Sequence, residues 1–478
     1  MRILQVSNGY PPRAFGGVEL HTRQLVGALS RSGHAVQVFT RHSDLGAADG
    51  TIVDEEIDGV PVRSVVNDSK AGGFEAHWQS APVRQAFEAL LDRERPDLVH
   101  VQHLIGLSHD LPVVARSRGI RVVATVHEYW YACARVMLLR PDGTLCRGPA
   151  HADCEACFLA GTIGDDPGPC LPPSQITSMR LALARHLPAG AARAALVPVG
   201  GGASARARFT AMARALACFE RATTPSRFVV DELARHGLAL PRATRVIPLG
   251  IDHTGLIKNS GHGGKGAEFR DEATDATNHT NVTDGSRKLA LQSAPDATPT
   301  DKLRIVFIGH VLPHKGPHIL LEAAALLPDA RLEIHLHGRR WPEHPFERRI
   351  GPLLAADSRV HAEGAFAEGA LPRLLAAADV VAVPSSCPES FGIAVREAHL
   401  AGRPVLCADR GALAEAVCDG IDGLLLPADD PLAWSRALRR LLEEPALLER
   451  LTKGARATAH TIPDMNDYAA RLEEFLLR

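Results

Sequence analysis

Residues 303–323 read LRIVFIGHVLPHKGPHILLEA. A β-rich apolar run, Leu303 to Gly309, leads into a loop holding Lys315 and Gly316, and a helix-like segment follows. This unit is a second beginning. The same pattern opens the chain at RILQVS, with a helix expected from about Val18 to Ser32, and continues through HAVQVFT, DLVHVQ and RVVATVH. Beyond Leu303 it runs on through RLEIHLHG, DVVAVPSS, RPVLCAD and DGLLLPAD, each followed by a helix-like segment. Strands alternating with helical patterns make βαβ units and a parallel sheet. The sequence therefore predicts an α/β protein of two doubly wound, Rossmann-like domains, and 478 residues suit two or three domains.

The expected division is an N-terminal domain over 1–253, with a Cys-rich insertion near 131–172, and a C-terminal domain over 302–460. A last helix over 461–478 is expected to return to the N-terminal domain. Residues 254–301, rich in Gly, Asn, Asp, Thr and Ser, hold too little apolar surface to offset ordering and read as a disordered linker. A net charge of -2 and a pI near 6.9 give no electrostatic case for nucleic acid. No run approaches the ~18 apolar residues of a membrane span, and MRILQVSNGY reads as a strand rather than a leader. A cytoplasmic protein is expected. Ile176–Phe219 carries six arginines and no acid, a basic face suited to peripheral contact with the inner face of an anionic membrane, or to a phosphorylated acceptor. Its simpler reading is a solvated helix.

Open α/β sheets bind ligands beyond the carboxyl ends of their strands, so the loops there carry the chemistry. After the first strand, Gly16 and Gly17 stand before a helix whose free amides can hold an anion. Their spacing is not the G-x-G-x-x-G of hydride-transferring enzymes. His127 and Glu128 follow RVVATV at a strand end. Lys315 opens a helix where it can neutralise phosphate. In PESFGIAVREAHLAGRPVL, Pro388–Leu406, two glutamates lie eight positions apart with Ser390, Phe391 and Gly392 between them. Eight helical residues rise about 12 Å, beyond the ~5–9.5 Å of a glycosidase carboxylate pair. Glu389 and Glu397 would then serve two ends of one ligand, the sugar and the ribose of a nucleotide sugar, with the Phe391 and Gly392 amides as donors.

These stretches, together with GGVELHTRQLVGALSRSGHAVQVFT, TVHEYW, TTPSRFVVDEL, VIPLGID and DGIDGLLLPADD, resemble the retaining glycosyltransferases of family 4, which have the GT-B fold. The resemblance implies metal-independent transfer of a hexosyl group from a nucleotide diphosphate sugar to an acceptor hydroxyl, in polysaccharide, glycolipid or other glycoconjugate assembly. It implies Glu397 on the ribose, Glu389 at the donor sugar, Lys315 on the phosphates, Gly16 and Gly17 at the pyrophosphate, and His127 near the reacting sugar. His310 stands where the family commonly has Arg, which makes that phosphate contact weaker or pH-dependent. Leu249 and Gly250, and Gly411 and Ala412, are two further departures. A nucleotide-sugar epimerase, a phosphorylase or a non-catalytic nucleotide-sugar binder would use the same loops.

Cys133, Cys146, Cys154 and Cys157 read C-x12-C-x7-C-x2-C, closing with the spacing of a zinc knuckle. The sequence predicts a structural zinc there, with Cys170 an alternative ligand and no cofactor needed for catalysis. Reduced, partly buried thiols are the simpler expectation.

Overall fold

The computed structural model of the chain describes residues 1–43, 46–67, 73–148, 154–155, 157–158, 203–253, 256, 302–367 and 369–477. Cys170 and the linker expected over 254–301, apart from Leu256, lie outside the described residues.

Two sheets form. The first has the order β3-β4-β2-β1-β5-β6-β7-β8, with β1 Arg2–Ser7, β2 Ala35–His42, β3 Ile52–Ile57, β4 Val60–Val66, β5 Leu98–Val101, β6 Arg121–Thr125, β7 Arg221–Thr224 and β8 Thr244–Val246. The second, β11-β10-β9-β12-β13-β14, is parallel throughout and comprises β9 Leu303–Ile308, β10 Leu332–His337, β11 Val360–Gly364, β12 Val380–Val383, β13 Val405–Ala408 and β14 Gly423–Leu426. One feature differs from an all-parallel expectation: β3 and β4 form an antiparallel edge hairpin, turning at Asp58 and Gly59, both at positive φ.

The strands are apolar because both faces are covered. β5, β12 and β13 are buried at every residue. Strand order reverses beside β1 in the first sheet, where β2 and β5 flank it, and beside β9 in the second, where β10 and β12 flank it. At such points the loops splay apart and leave a crevice. The loops after β1, β9 and β12 are those that hold the glycines, the lysine and the paired glutamates.

The helix Met465–Leu472 and the turn after it lie against the first sheet's unit. Tyr468 meets His21 ring to ring at 4.9 Å, Arg121 Nη1 donates to Leu477 O at 3.0 Å, and Arg245 stacks on Phe475 at 4.4 Å. Gly250 makes this approach close: a Cβ there would stand 2.6 Å from Asp464 O. Of the Arg-rich stretch Ile176–Phe219, residues 176–202 lie outside the described residues, and the rest forms the helix Ala203–Ala217 and the turn after it. The buried stripe of this helix is Ala205, Arg208, Ala211, Met212, Ala215 and Leu216, so one of its arginines points inward.

Tyr468 is fully buried against the first sheet's unit. Tyr468→Ala should cost about 3–5 kcal/mol, the scale of deleting a buried aromatic side chain. Urea unfolding would show a lower midpoint, and an unchanged midpoint would mean that this helix adds nothing to the packing.

Candidate functional site

The β9 loop carries Lys315 in a single 3-10 turn, Pro313–Lys315. Gly316 follows at φ 68, and a Cβ there would stand 1.9 Å from Pro384 O, so only glycine lets this loop lie against the one after β12. Ser386 N donates to His314 O at 2.9 Å and locks the two loops together. Lys315 Nζ thereby reaches Glu389 Oε1 at 2.7 Å, and Ser385 Oγ donates to the same oxygen at 2.8 Å. Burial alone would raise the Glu389 carboxyl, but Lys315 and Ser385 hold it below the usual carboxylate range. Burial works against the Lys315 ammonium, and Glu389 more than offsets it. Both side chains are charged at neutral pH, and Glu389 Oε2 has no hydrogen-bond partner among the described residues.

Glu389 is not helical. It bridges Gly411 in extended backbone, and the helix Ile393–Leu400 begins only after Gly392, at φ 75. The 12 Å rise between two helical carboxylates therefore does not apply, and only Glu397 rides on the helix. Glu397 has no cationic partner among the described residues, and burial pushes its carboxyl up to about 7. The amides of Ser390, Phe391 and Gly392 make no hydrogen bond among the described residues. Together with the helix start they present donors to an anion. The Phe391 ring itself is buried, with Arg396 stacked on it at 3.6 Å.

Across the crevice the helix Gly17–Arg31 begins at the paired glycines, with Gly16 extended as its cap. A Cβ on Gly17 would be 3.4 Å from Ile393 Cδ1, so the two helix starts, one from each unit, face one another. His127, just past β6, is buried, and its Nε2 is 2.7 Å from Gln102 Oε1. That bond requires a proton on Nε2, because the amide oxygen only accepts. Burial and the nearby His21 hold the imidazole well below its usual pKa, so it is neutral and keeps Nδ1 for a ligand. Glu128 turns away: it takes His103 Nε2 and Trp130 N, each at 2.5 Å. His310 is exposed at the end of β9, its ring 5.2 Å from Trp341.

The structure thus brings Gly16, Gly17, Lys315, Glu389, Gly392 and Glu397 around one crevice, with His127 set into its N-terminal wall. Sequence reasoning missed the groups that hold the two walls together. Tyr129 Oη donates to Glu389 O at 3.2 Å, Ser226 Oγ donates to Ser390 O at 2.7 Å, and Glu415 accepts Arg227 N and Phe228 N at 2.9 and 2.6 Å. Ser226 is legible as a helix cap before Arg227–Arg235. Nothing local announces Glu415 as a second anion at that helix start.

Residues 15–149 match the family described as Glycosyltransferase Family 4, and residues 291–458 match Glycosyl transferases group 1. The chain is 36% identical over 203 residues to the D-inositol 3-phosphate glycosyltransferase of Mycolicibacterium smegmatis, covering 40% of this chain and 46% of that protein. For the same enzyme of Thermomonospora curvata the identity is 35% over 176 residues, covering 34% and 40%. The matched part is therefore less than half the length of these relatives. Among solved structures, sucrose-phosphate synthase of Thermosynechococcus elongatus aligns at TM-score 0.62 and 19% identity over 99% of this chain and 97% of its own. HepE of Anabaena in complex with UDP aligns at 0.60 and 16% over the whole of both chains. These likenesses share one architecture, the GT-B fold.

The Lys315–Glu389 pair can be tested without any ligand. In a double-mutant cycle of Lys315→Met and Glu389→Gln, each single variant should lose more stability than the additive expectation from the double variant allows. The coupling should fall in the upper part of the ~0.5–3 kcal/mol range of contacting groups. Additive losses in chemical unfolding would show that the pair is not formed in solution.

Proposed function

Because the chain belongs to the GT-B glycosyltransferases of family 4, we propose that it transfers a sugar, with retention of configuration, from a nucleotide diphosphate sugar to an acceptor hydroxyl. The carrying observation is the division of labour on Glu389. Oε1 is committed to Lys315 and Ser385, while Oε2 is left for a donor-sugar hydroxyl. An ionised carboxylate accepts such bonds without a change of protonation.

In this reading the diphosphate lies between the two facing helix starts. The amides beside Gly17 and Gly392 and the Lys315 ammonium stabilise the charge that grows as it leaves. Preorganised donors aimed at developing charge are the largest source of rate in such sites. The ribose hydroxyls donate to Glu397. His127, neutral and fixed by Gln102, offers Nδ1 to a sugar hydroxyl. The bond from the anomeric carbon to the phosphate oxygen breaks, the acceptor oxygen bonds to the same face, and its proton passes to the departing phosphate oxygen. No metal is required in these steps. The likeness to a family that builds polysaccharides and glycolipids supports an acceptor among glycoconjugate precursors, and the inositol 3-phosphate in the relatives' name makes a polyol phosphate the first acceptor to assay.

The reading is tested with a panel of uridine, guanosine, adenosine and thymidine diphosphate sugars. Thermal shift selects the base, and NMR of the sugar released to water gives the first-formed anomer. Retention is the expected result, whereas an inverted first product, or no binding by any member, would overturn the proposal. With the selected donor, Lys315→Ala should lower turnover about 10²-fold or more. Glu389→Gln should keep nucleoside diphosphate affinity and lose most turnover; wild-type turnover in that variant would sink its assignment.

Glu397 adds a pH dependence whose sign follows from its raised pKa of about 7. The ionised form accepts the ribose hydroxyls, so it is present above pH 7 and lost below it. Nucleoside diphosphate affinity should weaken about 10-fold between pH 8 and pH 6 through this group. Isothermal titration of Glu397→Gln should show weaker binding at pH 8 and a flatter profile. A profile as steep as that of the wild type would assign the titration to another group.

A further inference from the structure

Cys133, Cys146, Cys154 and Cys157 all line one cavity of about 50 Å³, with Arg208 and His236 on its wall. The thiols are free, and all four are at least partly buried. His236 has its Nδ1 held by Glu232 O at 2.9 Å and faces Cys146.

Arg208 is the independent observation. It is 4% exposed, its guanidinium lies over Trp130 at 5.1 Å, and it donates to the Trp130 and Tyr131 carbonyls. No carboxylate pairs with it among the described residues, and its Nε has no hydrogen-bond partner there. A buried cation without a counter-charge is costly. The cavity beside it is where an anion belongs, and among the described residues lining it the acidic groups are the four thiols. A zinc ion with four thiolates carries a net double negative charge, which Arg208 would offset as an outer partner.

The backbone around the cysteines also needs a brace. Val136 at φ 70 and Leu138 at φ 53 both sit in the strained left-handed region. The segment's packing is divided: Cys133, Val136 and Leu138 join the first unit's main core, whereas Cys154 and Phe158 pack in a small separate cluster with Phe74 and Ala205. Between Cys133 and Cys146 the chain makes a short hairpin, Leu139 bridging Leu145, and the Arg135 and Arg140 of that hairpin line a second cavity of about 270 Å³ against His314 and Ser386 of the C-terminal loops.

We propose that this cavity is a structural zinc site, ligated by Cys133, Cys146, Cys154 and Cys157, with Arg208 as its counter-charge and His236 beside Cys146, which fixes the hairpin as a wall of the crevice. As the side chains stand, no group of three or more His, Cys, Asp or Glu among the described residues is set to hold a metal. Binding therefore draws the thiols inward with loss of their protons. Four protein ligands leave no open position, so the ion does no chemistry on substrate. The site stands apart from the transferase reading, and either can fail without the other.

The full chain, expressed without added metal, should carry about one zinc by elemental analysis, as a closed four-cysteine site requires. Cys154→Ser and Cys157→Ser should each lower zinc content and melting temperature, and a strong chelator should lower the melting temperature of the wild type. If those variants fail to fold, cobalt added to chelated wild-type chain should give the visible bands of a tetrahedral thiolate complex. Metal-free protein whose melting ignores chelator, zinc that survives the double variant, or iron with acid-labile sulfide would each overturn the proposal.

Discussion

Lys315 and Glu389 are 74 residues apart in the chain and 2.7 Å apart in the fold, and the crevice is organised around that contact. It requires the loops after β9 and β12 to interlock, which requires glycine at 316. Once formed, it fixes the backbone of Glu389 and Ser390, the two residues whose carbonyls the N-terminal unit grips through Tyr129 and Ser226. One ion pair thus links the register of the second sheet's loops to the closeness of the two units. The helix start at Gly392 sits opposite Gly17 because of it.

Much of this layout is legible in the sequence because parallel strands buried on both faces are written as short apolar runs. RILQVS, LRIVFIG and DVVAVPSS each fall within a few residues of the strand they become. The edge hairpin escapes that reading. IVDEEI is half-exposed at alternate positions, so its charged residues look like loop, although Asp58-Gly59 is a hairpin turn signal. The inward arginine was hidden by composition: six arginines suggest a basic surface, while the helical period of Ala205, Arg208, Met212 and Ala215 sets one of them in the apolar stripe. The Lys315–Glu389 pair and the Glu415 clamp join distant segments, and no local spacing encodes them.

In the proposed reading, the charge layout lets an almost neutral chain hold a diphosphate. His127 and His314 are kept neutral by burial, His314 down to about 3, and Arg410 is tied to Asp429. Beside Arg135 and Arg140, which line the cavity against His314 and Ser386, the loops offer directional donors: backbone amides at two helix starts and the Lys315 ammonium. A lysine has three donors, and Glu389 Oε1 uses one of them. In the proposed reading Lys315 would take a phosphate oxygen without releasing Glu389, so the donor would join an existing pair instead of breaking it. The cost of burying Lys315 is met by Glu389 before any ligand arrives, and charge developing on a departing phosphate would find its partner already in place.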